Sequence, residues 1–293
     1  MQARKLFTAA ALGFTTLMPL AHSAQPLQLE VFNPGEKSMF PVSSVIVSGA
    51  REAILIDAQF QRDDAEALVA KLRAGGKTLK AIYISHSDPD YYFGLDTLKA
   101  AFPAARVLAT AQTVAHIKES MDGKLAYWGP ILKQNAPGKL VLPEAIAGDS
   151  LSLEGQRIEI KGLTGPSPER SYLWIPSLKT VAGGVVVSSG IHVWVADTQS
   201  AQSRQDWQAT LKGIAALQPA AVVPGHYLGE IPAGLGAVAF TAEYLKAFED
   251  AAAHAKDSNE LITSLKARYP SLGEPASLEL SAKVIKGGMK WPQ

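Results

Sequence analysis

Short strand-like runs alternate with helix-like stretches along this chain of 293 residues, and both halves show the same order. In the first half, β-branched runs at 43–48 and 53–56 flank Gly49-Ala50-Arg51-Glu52, which predicts a hairpin. Apolar residues then recur at helical spacing over 62–74, and Gly75-Gly76 ends that helix. The remaining elements predicted in this half are strands at 81–84 and 106–109 and helices at about 95–101 and 113–120.

The second half repeats this order. Residues 151–153 and 157–160 flank Glu154-Gly155-Gln156 as another hairpin, and 171–175 is expected to pair with 180–182. The other predicted elements are a helix at 203–217, a strand at 220–223, an outer helical region at 243–267 and a short terminal segment through Lys290. Two sheets, each covered by helices on one face, bury these elements economically. We therefore expect a four-layer αββα sandwich in the α/β (α+β) class.

The first 24 residues have the pattern of a secretory signal peptide. Arg4 and Lys5 precede an apolar stretch at 6–20, and Ala21-His22-Ser23-Ala24 offers small residues for cleavage. An uncleaved membrane anchor is the alternative, but the apolar run is shorter than the roughly 20 residues that span a bilayer. We expect a periplasmic or secreted protein in which residues 25–293 form the folded domain, with a helical extension at its C-terminal end.

Charge and cysteine content exclude several classes of function. Lys and Arg number 28 against 27 Asp and Glu, so no basic field is present to bind nucleic acid. The chain has no cysteine, which excludes thiolate nucleophiles, disulfides, iron–sulfur clusters and cysteine-bound zinc. Any metal ion must therefore be bound by histidine and carboxylate side chains.

Such side chains follow the ends of two predicted strands. His86, Asp88 and Asp90 alternate in the loop after strand 81–84, and His226 follows strand 220–223. A lone histidine in a loop is usually structural or solvated, but imidazole and carboxylate groups at this spacing can converge on one cation. The sequence therefore predicts that these four residues can form a metal site.

The order of elements and these motifs resemble the metallo-β-lactamase superfamily over about residues 28 to 250. The resemblance is carried by Ile54-Leu55-Ile56-Asp57, by the His86 loop with Phe93-Gly94 after it, and by Pro224-Gly225-His226. It implies an αββα fold with one or two metal ions, commonly zinc, at the edges of the sheets. It also implies that Asp57 is the acid that orients the metal-binding loop, although an ordinary strand-end acid is an equal alternative.

The loop departs from the family pattern His-x-His-x-Asp-His. His86 and Asp90 match its first His and its Asp, whereas Asp88 and Tyr91 stand at the positions of its second and last His. The resemblance implies that a phenol at Tyr91 either donates a hydrogen bond to a developing oxyanion or packs in the loop.

Two more ligand positions of the family are lost, because Pro166 replaces the middle His and Gly184 replaces the bridging Asp. These losses argue against a two-zinc centre and favour one divalent ion, for which the resemblance makes Asp90 and His226 the central pair of ligands. Zinc is expected, with iron or manganese as alternatives, since two nitrogen and two oxygen ligands suit each of them. His192 lies in a loop that lines the cleft in some family members. It could replace a ligand or polarise a substrate carbonyl, and packing is its alternative role.

The resemblance implies an exported metallo-hydrolase-like protein that hydrolyses an ester, lactone or amide. A bound cation would activate water, and Asp88 or His86, when not a ligand, would accept the proton. The expected partner is a small-molecule substrate, with no nucleic acid and no membrane after signal cleavage. The alternative is a catalytically degenerate member that binds a small molecule or an envelope partner, because Pro166 and Gly184 are what a decayed site would contain.

Overall fold

The computed structural model describes residues 25–291. The signal peptide predicted at 1–24 lies outside them. Within the described residues, no helix is both long and apolar enough to cross a membrane.

The first sheet contains the strands of the first half in sequence order, β1 to β6. Their bounds are β1 Gln28–Phe32, β2 Ser44–Ser48, β3 Glu52–Ile56, β4 Thr78–Ile84, β5 Arg106–Ala109 and β6 Glu144–Ala145. The first three strands pair antiparallel, as the predicted hairpin requires, and β3 to β6 pair parallel. The parallel strands end at one edge of the sheet, and the His86 loop leaves β4 at that edge.

The second half forms a sheet of five strands in the order β12-β10-β9-β8-β7, and β11 pairs with β13 beside it. Their bounds are β7 Ser150–Leu153, β8 Gln156–Lys161, β9 Tyr172–Ile175, β10 Thr180–Ala182, β11 Ser188–Ser189, β12 Ala221–Val222 and β13 His226–Tyr227. The pairing of β11 with β13 is parallel and sets Ser188 opposite His226. This short sheet therefore fixes the backbone of the second predicted site histidine.

Helices cover the outer face of each sheet. In the first half they are α1 Arg62–Ala74, α2 Pro89–Tyr92, α3 Leu95–Ala101 and α4 Ala111–Leu132; in the second, α5 Ala201–Ala216, α6 Gly236–His254, α7 Ser258–Arg268 and α8 Pro275–Ile285. Alternate residues of the strands face different layers. Ile54 and Ile56 lie between the sheets, whereas Leu55 faces the helices of the first half. The predicted αββα sandwich is confirmed.

The helices differ from the prediction in length. Helix α4 continues to Leu132 although Gly123 and Pro130 disfavour helix, because apolar residues such as Trp128 pack against the first-half core. The predicted helical region 243–267 is two helices, since Asp257 caps a new helix by accepting a hydrogen bond from the Glu260 amide. The terminal segment contains α8, and its buried residues pack on the second-half helices.

Candidate functional site

The His86 loop takes its shape from Pro89. The residue before a proline is biased toward extended backbone, and Asp88 has φ −73° and ψ 145°. Proline suits the first position of a helix, so Pro89 begins the short helix α2 directly after it. The loop therefore leaves His86 and Asp88 before the helix, and places Asp90 and Tyr91 within its single turn.

Asp90, Tyr91 and His226 form a hydrogen-bonded group that we call the inner cluster. The Nε2 atom of His226 lies 2.6 Å from Oδ2 of Asp90, and the Tyr91 hydroxyl lies 3.2 Å from Nδ1 of His226. Tyr91 is completely buried, whereas the His226 side chain is 20% exposed. The pair expected to be central, Asp90 and His226, is thus brought together by two chain segments 136 residues apart.

The surroundings of the inner cluster shift the ionisation of two of its members. Burial by itself lowers the pKa of His226, but its hydrogen bond with Asp90 and the charge of that carboxylate outweigh burial and raise the pKa above 6.5. Burial, followed by the charge of Asp90, raises the pKa of the Tyr91 phenol well above 10. The arrangement therefore stabilises the protonated form of the His226 imidazole and the neutral form of the Tyr91 phenol.

His86, Asp88 and Lys124 form a second group, the outer cluster. The Nδ1 atom of His86 lies 3.4 Å from Oδ2 of Asp88 and 3.2 Å from its backbone nitrogen. Nζ of Lys124 lies 3.5 Å from Oδ1 of Asp88 and donates a 2.7 Å hydrogen bond to the Ser87 carbonyl. The Asp88 side chain is 35% exposed. Partial burial raises its pKa, but His86 and then Lys124 outweigh burial and hold the pKa below 3.8, so Asp88 is ionised at neutral pH.

Asp57 supports the loop from behind, as the resemblance implied. Its carboxylate accepts hydrogen bonds from the backbone nitrogen and the hydroxyl of Ser85, at 2.8 and 2.6 Å. The same hydroxyl accepts a 2.7 Å hydrogen bond from the Gly184 amide. Burial raises the pKa of Asp57 to about 7 despite these bonds. The chain Asp57–Ser85–Gly184 therefore joins the end of β4 to the second sheet.

Three charged residues near the site were missed by the sequence reasoning: Lys124, Arg170 and Asp197. Arg170 is buried, stacks on Trp207 at 3.8 Å, and donates a 2.9 Å hydrogen bond to Thr198. Its guanidinium lies 3.5 Å from the Asp197 carboxylate. Lys124 could have been found by continuing α4 past Ser120. Arg170 and Asp197 lie in irregular loops, and tertiary packing brings these loops together. No sequence signal indicates that the two side chains meet.

Other predicted site residues lie elsewhere. His192 is buried, and its Nδ1 atom lies 3.0 Å from the Tyr244 hydroxyl of α6. Burial, followed by the charge of Lys266, lowers the pKa of His192. Pro166 is exposed in the loop before β9. The catalytic or ligand role of His192 stays a prediction.

The arrangement of the donors does not fit a metal ion. Two ligands of one tetrahedral zinc, each about 2.0–2.1 Å from the ion, lie roughly 3.3 Å apart. Nε2 of His226 and Oδ2 of Asp90 are 2.6 Å apart, which is a hydrogen bond. Among residues 25–291, no group of three or more His, Asp or Glu side chains is placed to hold an ion. The ligand set His86, Asp88, Asp90 and His226 stays a prediction.

The match to a protein family covers the part of the chain that forms this site. Residues 39–226 match the family model described as the metallo-beta-lactamase superfamily. The chain belongs to the metallo-beta-lactamase superfamily. This match begins before β2 and ends at His226, so it contains both clusters.

Solved structures of metallo-beta-lactamases share the fold. The enzyme from Pontibacter korlensis is 17% identical with a TM-score of 0.55, over 76% of this chain and 96% of that one. TMB-1 is 21% identical with a TM-score of 0.53, over 75% and 92%. IND-7 is 19% identical with a TM-score of 0.54, over 75% and 94%. No curated protein matches the chain. The superfamily fold supports a metallo-hydrolase-like function, and its members typically bind divalent metals.

Proposed function

We propose that the chain is an exported hydrolase of small esters, lactones or amides, and that the outer cluster is its acid–base centre. The observation that carries this proposal is the pairing of His86 with the ionised, part-exposed Asp88 at the end of β4. Ligands often bind where such loops leave the carboxyl ends of parallel strands. The periplasmic or secreted location rests on the signal-like residues 1–24.

The proposed step uses side chains of this chain alone. Nδ1 of His86 accepts a hydrogen bond from the Asp88 amide, so the neutral ring carries its proton on Nε2 and His86 positions the Asp88 loop. The ionised Asp88 carboxylate, whose side chain is 35% exposed, accepts a proton from water. The water oxygen forms a bond to the substrate carbonyl carbon, and the proton then passes from Asp88 to the leaving oxygen or nitrogen as its bond to that carbon breaks. His86 and Lys124 favour the ionised form of Asp88.

Activity assays on variants test this proposal. We expect Asp88→Asn to lower kcat/KM on a panel of ester, lactone and anilide substrates by about 100-fold or more, the usual contribution of a general base. His86→Ala, which removes the acceptor of the Asp88 amide, should also lower kcat/KM. His116→Ala, which removes an exposed histidine of α4, is the control and should retain full activity. Variants with the activity of the wild type would contradict the role of the outer cluster.

A binding protein is the second candidate, and a specific observation favours it. Pro166 and Gly184 stand at two positions where the family has a metal-binding His and Asp. Such replacements are expected in a site that no longer catalyses a reaction. A folded protein with no turnover on the panel, which nonetheless binds one of the panel compounds, would support this candidate. Elemental analysis tests the expectation, drawn from the resemblance, that zinc, iron or manganese occupies the set His86, Asp88, Asp90 and His226.

A further inference from the structure

Tyr91 packs against both site histidines. Its ring lies 5.6 Å from the His86 ring and 5.5 Å from the His226 ring, each in an edge-to-face arrangement. In the family motif these two histidines and Asp90 are ligand positions. An aromatic ring with no exposed surface therefore fills space beside three of the groups that would face an ion.

Several polar atoms of these residues already have hydrogen-bond partners. Both ring nitrogens of His226 are engaged, Nε2 by Asp90 and Nδ1 by the Tyr91 hydroxyl. Nδ1 of His86 accepts a hydrogen bond from the Asp88 amide. Burial of polar groups is costly unless they are hydrogen-bonded, and here the bonds are made within the chain.

Two glycines close the backbone around the Tyr91 hydroxyl. Gly184, which stands at the bridging Asp position, has φ +78°, and a Cβ there would collide with the Ser171 carbonyl oxygen. A Cβ on Gly225 would collide with the Gly184 carbonyl and lie 2.8 Å from the Tyr91 hydroxyl oxygen. A carboxylate side chain at position 184 would therefore require the backbone at Ser171 to move. The backbone of the second sheet thus leaves space for the Tyr91 phenol and none for a side chain at position 184.

From these contacts we infer that Tyr91 and the Asp90–His226 pair replace the metal ion of the superfamily. The Tyr91 ring occupies the space beside the ligand positions His86, Asp90 and His226. The hydrogen bond between Asp90 and His226 joins the two chain segments, and the tightly packed backbone at Gly184 leaves no room for a bridging Asp. On this inference the protein folds without a metal ion, and the inner cluster joins the two chain segments instead. This inference goes beyond the proposed hydrolysis and does not depend on it, because it concerns the inner cluster alone.

Metal content and stability of the wild-type protein test the inference directly. We expect protein purified without chelators to contain far less than one zinc, iron or manganese ion per chain. Its melting temperature should be the same in EDTA as in excess zinc chloride. One tightly bound ion per chain, with a melting temperature that falls in EDTA, would overturn the inference whatever the result of the activity assays.

Two substitutions of Tyr91 separate the ring from its hydroxyl. Tyr91→His removes the larger ring and supplies the last His of the family motif, so zinc should bind this variant stoichiometrically and raise its melting temperature. Tyr91→Phe keeps the ring and should not respond to zinc. Zinc binding by Tyr91→Phe, or a folded Tyr91→His that ignores zinc, would contradict the inference. If Tyr91→His does not fold, the wild-type metal content and the Tyr91→Phe titration decide alone.

Discussion

Strained backbone at single residues supports the candidate site. Asp57 and Gln59 have φ of 65° and 73°, a region that side-chain-bearing residues rarely adopt. Hydrogen bonds hold this loop in place, because the Ala58 amide donates to the Tyr91 carbonyl and the Gly94 amide donates to the Gln59 carbonyl. The strained segment after β3 is thereby fixed to α2, and strain of this kind is often found at functional sites.

The buried Asp57 carboxyl makes stability depend on pH. Its pKa rises from 3.8 to about 7 on folding, so the folded state binds the proton more tightly and stability falls as pH increases from about 4 to 7. Asp57→Asn should remove this pH-dependent fall in the free energy of unfolding, which amounts to about a few kcal/mol at most. Urea unfolding at pH 5 and pH 7.5 should therefore show a flatter profile for the variant than for wild type. Asp149→Asn, at an exposed acid, is the control. Parallel profiles for Asp57→Asn and wild type would contradict the assignment.

At the scale of elements, Glu154 joins the β7–β8 hairpin to the β2–β3 hairpin. Its carboxylate accepts hydrogen bonds from the backbone nitrogens of Ala50, Arg51 and Glu52, at 2.9, 2.6 and 2.9 Å. Gly49 makes this approach possible, since a Cβ there would lie 2.6 Å from the carboxyl carbon. The turn between β7 and β8 thereby caps the turn between β2 and β3.

Replacing this carboxylate should destabilise the protein in a pH-dependent way. The bonds to Arg51, Glu52 and Ala50 lower the pKa of Glu154 below 4.5, so its contribution is present above that value and is lost as pH falls through the lowered pKa. We expect Glu154→Gln to lower the melting temperature by a few degrees at pH 7, and the difference to shrink in acid. The control is Glu144→Gln, which removes an acid that pairs with Arg106 on the surface and should lower the melting temperature less. Equal effects of the two substitutions would argue against the cap.

Sequence patterns predicted the elements better than the contacts between them. The periodicity of residues such as Leu68 and Val69 predicted α1, and the runs around Val45 and Ile54 predicted the hairpin, because these signals are local. The approach of Asp90 to His226 followed from the resemblance. The edge-on contacts of Tyr91, and the stacking of Arg170 on Trp207, depend on backbone approaches at Gly184 and in irregular loops, where no periodic pattern operates.

On the scale of the whole molecule, a shared core between the sheets joins the two halves. Ile54 and Ile56 from the first sheet and Leu173 and Ile175 from the second belong to one buried cluster. The outer helical layers have their own clusters, with Trp128 in one and Trp207 in the other. The inner layer is therefore the contact through which the halves stabilise each other.

Removing one inner-layer side chain should weaken both halves together. Leu173 is completely buried, and Leu173→Ala should lower the free energy of unfolding by about 2–5 kcal/mol through lost burial and the cavity left behind. Urea unfolding followed by tryptophan fluorescence and by circular dichroism should give coincident transitions. Leu142→Ala, at a side chain that is 39% exposed, is the control and should cost well under half as much. Separate transitions for the two probes would mean that the halves unfold independently.

Gly273 joins the C-terminal segment to the loop that contains His192 through a strand-like contact. The Gly273 amide donates to the Gly190 carbonyl, and the Gly273 carbonyl accepts from the His192 amide, at 3.0 and 2.9 Å. Gly273 lies 47 residues beyond the end of the family match at residue 226. The C-terminal segment therefore places Glu274 where its charge raises the pKa of His226. A substitution at Glu274 can consequently change the ionisation of His226 while every residue of the family match stays the same.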